Sequence, residues 1–231
     1  MKKRYIMLAV TAALVFAVAA GGTLAAQRVN SGVLSLGLNA ATLDIELAAG
    51  KTTDSGAITV KDTDIMPGDT YEFEAADENY SVQNLTSVQN NGNTSTLPAY
   101  VRVTVTKYWC ESGTNQKDHD ADAKLITLNC DTDNWMELRS VFAGRTKSQT
   151  QVFYYKTPLD PGEATSKLLQ SMSVGTEAGN DYTDRQIYLE AKADAVQYVP
   201  GDNELNEQAI LSAWGVVVTL NADGSIATIS N

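Results

Sequence analysis

The sequence predicts an all-β protein, a two-sheet antiparallel sandwich of jelly-roll type with one or two short helical insertions. Short segments of alternating apolar and polar residues recur along the chain, and Pro-Gly turn signals separate several of them. Only two stretches have helical spacing. The clearest strand is 100–109, which places Val101, Val103 and Val105 on one face and Arg102 on the other.

The other elements follow from the same patterns. The turns at 66–69 and 159–163 contain Pro-Gly, in which proline presets φ and glycine supplies a positive φ. Helical spacing of apolar residues predicts the two insertions at 164–172 and 203–214. The last two strands form a hairpin around 221–224. The remaining predicted strands are, in chain order, 42–47, 57–60, 71–74, 125–128, 151–155, 187–195, 216–220 and 226–229.

The N-terminal residues 1–26 have the layout of a secretory signal peptide. Lys2, Lys3 and Arg4 precede the apolar run 6–20, and small residues follow it. That run, about 15 residues, is shorter than the roughly 20 that span a bilayer, so a transmembrane anchor is the less favoured alternative. We therefore expect a secreted protein, extracellular or associated with the cell surface, without a stable transmembrane anchor after cleavage.

Beyond the signal segment, we expect an N-terminal segment at 27–48 and one sandwich domain at 49–231, because a chain of this length buries one core. The sequence contains 28 acidic and 17 basic residues, which gives a formal net charge of −11 at pH 7. An acidic surface repels phosphate backbones, so nucleic acid is not an expected partner.

The sequence has two cysteines, Cys110 and Cys130. In an exported chain an even number of cysteines suggests a disulfide, which here would close a loop of about 20 residues. Two free thiols are the alternative, because many anaerobes form few disulfides. Both states stay open at this point.

The residues that catalysis would need are scarce, so we expect no enzyme. His119 is the single histidine, whereas the commonest zinc proteases use two histidines and a carboxylate. The sequence contains no Gly-x-Ser-x-Gly motif for a nucleophilic serine. A glycosidase needs two carboxylates, and no pair is singled out among the acidic residues.

Calcium is the one cofactor for which the sequence offers candidate ligands. Asp118, Asp120 and Asp122 alternate along one acidic run, and hard cations prefer such oxygen ligands. An EF-hand would need glycine and glutamate where this run has Ala123 and Asn129. A solvated acidic loop is therefore the alternative, and no other cofactor is expected.

Aromatic residues form another candidate set, because a face of exposed rings could stack on sugars. The competing interpretation is that most of these rings belong to the core. The residues are Tyr100, Tyr108, Trp109, Trp135, Tyr154, Tyr155, Tyr182 and Tyr188.

Several ordered features resemble the camelysin/TasA-like family, exported proteins of Firmicutes whose signal peptides are removed by a SipW-type signal peptidase. These features are the basic start, the apolar run, Gly-Gly-Thr-Leu-Ala-Ala at 21–26 and Ala-Thr-Leu-Asp-Ile at 41–45. Met-Pro-Gly-Asp at 66–69 resembles the Pro-Gly-Asp turn of the family. Later segments resemble a clostridial branch of such proteins: 98–103, 154–156, 161–163 and 213–215.

The resemblance implies a jelly-roll subunit of extracellular biofilm-matrix fibres on a Gram-positive cell. Its partners would be further copies of itself and, during export, the SipW-type signal peptidase. In such relatives the N-terminal segment inserts as a strand into the next subunit, and here the donor would be roughly 27–47. Candidate donor side chains are Val33, Leu34, Leu36, Leu38, Leu43, Ile45 and Leu47.

Two alternatives to strand donation stay open. The N-terminal segment could pair within its own domain or remain a tail. The chain could instead be a monomeric surface adhesin, or a module that binds carbohydrate or a cation. The family name also carries a metalloprotease claim, which one histidine does not support, so that activity is not expected here.

Overall fold

The computed structural model describes a subset of the chain. The described residues are 29–30, 43, 45–49, 57–60, 66–73, 79–84, 97–111, 114, 116–138, 149–182 and 185–231. The predicted signal segment 1–26 lies outside them, as do the candidate donor residues Val33, Leu34, Leu36 and Leu38.

The described residues form thirteen strands and one α-helix, and every strand pairing is antiparallel. The predicted all-β class is therefore confirmed, and the arrangement is compatible with a sandwich. Helix α1 is Asn203–Trp214. The strands are β1 Val29–Asn30, β2 Ile45–Ala49, β3 Ala57–Val60, β4 Thr70–Glu72, β5 Tyr80–Asn84, β6 Ala99–Glu111, β7 Ile126–Cys130, β8 Trp135–Glu137, β9 Thr150–Tyr155, β10 Leu169–Val174, β11 Arg185–Gln197, β12 Val217–Leu220 and β13 Ile226–Ser230.

The largest sheet has the order β1-β11-β6-β9-β8, and β3 also pairs with β11. Its centre is the ladder between β6 and β11, which runs from Ala99 opposite Gln197 to Glu111 opposite Arg185. A strand has two edges, so β1 and β3 share the edge of β11 that faces away from β6. The smaller sheets are β4-β10-β7, β2-β5 and β12-β13.

The main core lies between the largest sheet and the smaller sheets that contain β2, β5, β7 and β10. Val101, Val103 and Val105 are fully buried in this core, as the alternation in 100–109 predicts. From the opposite layer, Tyr80 of β5 donates its hydroxyl to the carbonyl of Leu189 in β11 at 2.9 Å. Burial of each of these valine side chains contributes about 1.5–3 kcal/mol to the free energy of unfolding.

A second core covers one end of the outer face of the largest sheet. Tyr100, Tyr154 and Val196 pack there against α1 and the β12-β13 hairpin, with Ile210 and Trp214 among the helical residues. The alternation alone places Tyr100 on the half-exposed face of its strand. The structure buries Tyr100 completely, because the C-terminal elements fold over this part of the sheet.

Helix α1 occupies the predicted segment and has recognisable caps. The side chain of Asp202 accepts a hydrogen bond from the backbone N–H of Leu205 at 3.0 Å, which stabilises the N-terminus. Gly215 ends the helix in the left-handed conformation, with φ 70°.

The helix predicted at 164–172 is wrong, because the structure forms strand β10 there, between β4 and β7. A β-bulge between Leu169 and Ser171 shifts the register by one residue. Leu169 and Met172 therefore both reach the main core although they are three residues apart. The spacing of inward residues across the bulge resembles that of a helix. Pairing with both β4 and β7 stabilises the strand instead.

Candidate functional site

The candidate site for assembly is the edge of β11 that faces away from β6, hereafter the assembly edge. Along it, Ile187–Glu190 pairs with β3, and Asp194 and Ala195 pair with β1. Ala191–Ala193 lies between these two short ladders. Among the described residues, no strand pairs with this gap on the assembly edge. The edge thus carries two short strands rather than one continuous strand.

Small side chains face inward along the assembly edge. Ala191, Ala193 and Ala195 of β11 point to the main core, opposite three valines of β6 in the ladder. Ala193 and Ala195 are completely buried. A methyl group fills little volume. Side chains of the strand that pairs with this edge therefore contribute much of the packing at these positions.

A buried ion pair supports the end of β11 where β1 is added. Asp194 stands opposite both Arg102 of β6 and Asn30 of β1. Its Oδ2 lies 2.6 Å from Nη2 of Arg102, and its side chain is 3% exposed. The Arg102 guanidinium lies 5.3 Å from the ring centroid of Trp214. The pair therefore joins two central strands to the last residue of α1.

Three of the candidate donor residues are placed in the fold of their own chain. Leu43 and Ile45 are buried in the main core, and Leu47 packs against it. Strand β2 pairs with β5, from Ile45 opposite Asn84 to Ala49 opposite Tyr80. The boundary expected at 48/49 thus falls within β2. This part of the N-terminal segment pairs with β5, within its own domain.

The structure does not bring the calcium candidates Asp118, Asp120 and Asp122 together as ligands. Within the described part of the chain, no group of three acidic, histidine or cysteine residues could hold a metal ion. Asp118 pairs with Arg185, at 2.7 Å between Oδ2 and Nε. Hydrogen bonding from the Asp120 backbone N–H and the charge of Arg185 lower the pKa of the Asp118 carboxyl. Asp122 caps a short helix instead, accepting from Lys124 N at 2.9 Å.

An aromatic clasp, which the sequence did not reveal, holds the acidic loop. Trp109 Nε1 donates to the carbonyl of Asp122 at 3.1 Å, and the Asp122 N–H donates to the Tyr182 hydroxyl at 3.0 Å. The two rings lie 4.9 Å apart, and Arg185 stacks over Tyr182 at 4.8 Å. These residues are distant in sequence, so no local pattern could predict the clasp.

Of the two alternatives for Cys110 and Cys130, the structure shows free thiols, both buried. Cys130 belongs to the main core, whereas Cys110 lies outside both core clusters. Burial raises the pKa of both thiols, which keeps them protonated and poorly nucleophilic. His119 is exposed, in a loop.

The eight candidate aromatic residues separate into three groups, one of which is Tyr155 and Tyr182, half-buried against the main core. Four are buried, namely Tyr100, Trp109, Trp135 and Tyr154. Tyr108 and Tyr188 instead form a half-buried pair on the outer face of the largest sheet, with ring centroids 5.0 Å apart. Burial, with a smaller effect from Tyr188, raises the pKa of Tyr108 to about 12.

No protein-family model, curated protein or solved structure matches this chain. Its function is therefore argued from its own residues. In the described part, no helix is both long and apolar enough to span a membrane.

Proposed function

We propose that this chain is a secreted structural subunit of a cell-surface or biofilm-matrix fibre, assembled by addition of the N-terminal strand of one copy to the sheet of the next. The observation that supports this proposal is the pairing of β1 with the assembly edge of β11. The proposal includes a jelly-roll connection of the sheets and export through a SipW-type signal peptidase, as the resemblance implies.

Exchange of this strand between copies is energetically accessible. The intramolecular β1 ladder covers two residues, and a backbone hydrogen bond contributes about 0.5–1.5 kcal/mol net. The same contacts form when the strand of a second copy takes the position, so exchange forms as many backbone hydrogen bonds as it breaks. A donor that continued along the gap at Ala191–Ala193 would add further hydrogen bonds that β1 alone does not make.

Within this proposal the donor segment is 27–42, because the residues that follow pack in the main core. Leu43 and Ile45 are anchored in the main core, so they stay with their own subunit. Leu34, Leu36 and Leu38 alternate with small or polar residues, as in an extended strand. A donor that continues the register of β1 would place Ser31 opposite Ala193 and Val33 opposite Ala191, on the core face of the sheet.

The test compares the chain starting at Gln27 with one starting at Thr42, by electron microscopy and size-exclusion chromatography. The second chain keeps β2 and hence the complete main core. Fibres or large oligomers from the first and folded monomers from the second would support the proposal. Equal assembly of both chains would refute strand donation, and monomers from both would refute the fibre function.

A pair of point variants tests the direction of the donor side chains. In the register of β1, Val33→Lys places a charge on the core face opposite Ala191, and Leu34→Lys places the same charge on the opposite face. We expect the first to abolish polymerisation and the second to leave it intact. Equal effects of the two variants would contradict an extended donor strand.

The alternative function is a monomeric adhesin that binds carbohydrate. The half-buried Tyr108–Tyr188 pair favours it, because neighbouring rings on the outer face of a sheet can contact sugar rings. A glycan array with the wild type and Tyr188→Ala tests this. Binding that disappears in the variant supports the alternative, whereas a silent array opposes it.

A further inference from the structure

A buried lysine reaches across the main core near one end of β6. Lys107 is 3% exposed, on the same face of its strand as Val105 and Trp109. Its Nζ donates to the carbonyl of Ile126 in the opposite layer and to Gln151 Oε1, the latter at 3.0 Å. Lysine is rarely this buried in proteins, and here the amino group is held between two layers of the fold.

The amide group that receives Lys107 is held by a carboxyl group. Gln151 Nε2 donates to Glu137 Oε1 at 2.8 Å. The three side chains come from adjacent strands, β6, β9 and β8, and the ladders fix their order. An amine, a carboxamide and a carboxyl group therefore stand in a row on the core face of the largest sheet.

We propose that Lys107 and Gln151 become joined by an intramolecular amide bond, with Glu137 as the proton carrier. The Nζ lone pair attacks Cδ of Gln151, and a new C–N bond forms. The original Cδ–Nε2 bond then breaks, and Nε2 leaves as ammonia after taking a proton from the Glu137 carboxyl group. Glu137 regains a proton from Nζ, so atoms and charges balance and no external reagent is required.

The arrangement supplies what this reaction needs. The nucleophile and the carboxamide are held at hydrogen-bond distance by rigid strands, and such positioning can contribute several kcal/mol to lowering a barrier. The reaction needs an amine at Nζ and a carboxyl group at Glu137, which together carry the same net charge as an ammonium and a carboxylate. Glu137 contacts the nitrogen that must leave, so the proton is delivered to the correct atom.

A second lysine–glutamine pair in the same protein is a natural control. Lys117 Nζ donates to Gln149 Oε1 at 2.6 Å, which is shorter than the contact of Lys107 with Gln151. Lys117 is exposed, however, so water solvates its charge. We expect no bond between Lys117 and Gln149, because water solvates the exposed amino group and competes with its attack on the amide.

The test is mass spectrometry of the full chain, intact and after proteolysis, for the wild type, Glu137→Gln and Lys107→Met. We expect the wild type to be lighter by one molecule of ammonia, with a branched peptide that joins residue 107 to residue 151. Both variants should have their full calculated mass. An N-terminal glutamine can also lose ammonia, so fragmentation of the branched peptide decides the position of the loss.

Three results would overturn the proposal. The first is a wild type of full mass, and the second is an ammonia loss that maps elsewhere, including to Lys117. The third is a Glu137→Gln variant that still forms the bond, since this would remove the proton carrier from the mechanism. The Glu137→Gln side chain can keep a hydrogen bond to Gln151, so this variant tests chemistry even if Lys107→Met fails to fold.

Discussion

Replacement of Asp194 by alanine should destabilise the protein by about 3–5 kcal/mol, because it leaves the charge of Arg102 buried without its partner. The Arg102 side chain is 13% exposed, and that of Asp194 is 3% exposed, so water cannot readily replace the lost contact. The contact itself is short, 2.6 Å between Nη2 and Oδ2. A loss of this size is a large fraction of the 5–15 kcal/mol by which typical domains are stable.

The double replacement Arg102→Met with Asp194→Leu tests whether the loss of stability comes from one charge left buried or from loss of the contact itself. It removes both charges and keeps apolar volume, so we expect stability close to that of the wild type. Arg102→Met alone should cost several kcal/mol, because it leaves the Asp194 carboxylate buried. The coupling between the two single changes would then be large and favourable for the double variant.

The assay is urea unfolding followed by tryptophan fluorescence, with circular dichroism as a second probe. Trp214 contacts Arg102 in the second core, whereas Trp109 and Trp135 lie in the main core, so a two-step fluorescence transition would separate undocking of α1 from unfolding of the main core. A decrease in the free energy of unfolding below about 1 kcal/mol for Asp194→Ala would refute a large effect of burial, because exposed ion pairs also contribute less than this. Non-coincident transitions of the two probes would show that α1 detaches before the main core unfolds.

Three further predictions concern Gly224, Tyr108 and the two cysteines. Gly224→Ala should destabilise the β12-β13 hairpin by about 1–3 kcal/mol in urea unfolding, because φ is 83° and a Cβ would lie 2.6 Å from the Tyr198 hydroxyl oxygen. Spectroscopic titration should show Tyr108 ionising near pH 12, and Tyr108→Phe should remove that step. Because this pKa is raised above the unfolded value of about 10, its stabilising contribution is present below pH 10 and lost towards pH 12. Cys110 and Cys130 should react with a thiol reagent only after unfolding, and a mass showing a disulfide in the native protein would contradict this.

The elements that the sequence predicted well are those whose pattern is local. The alternation of Val101, Val103 and Val105 reports burial of one strand face directly, and α1 has both its apolar spacing and the cap Asp202 within a few residues. The final hairpin likewise has its turn signal between two short strands. Local patterns suffice where local geometry determines which side chains are buried.

The features that the sequence did not predict depend on partners distant in the chain. Leu169 and Met172 looked helical because a bulge changes the spacing of inward residues, and only the neighbours β4 and β7 reveal the strand. The acidic run looked like a cation site, but Arg185 takes up one of its carboxylates. Lys107 appeared as one more residue of a strand, and its contacts with two other strands gave no sequence signal.

The two proposals concern different strand pairs of the same sheet, so each can fail without the other. The donor strand would bind at the outer edge of β11, whereas the Lys107–Gln151 bond would lie between β6 and β9, on the far side of the β6-β11 ladder. Val33→Lys should therefore prevent fibres without changing the ammonia loss. Conversely, Glu137→Gln should abolish the ammonia loss and leave assembly intact. Because β6 is paired with β11 along its whole length, the bond would reinforce the strand on which the assembly edge rests, and its absence should appear as faster unfolding of subunits within otherwise normal fibres.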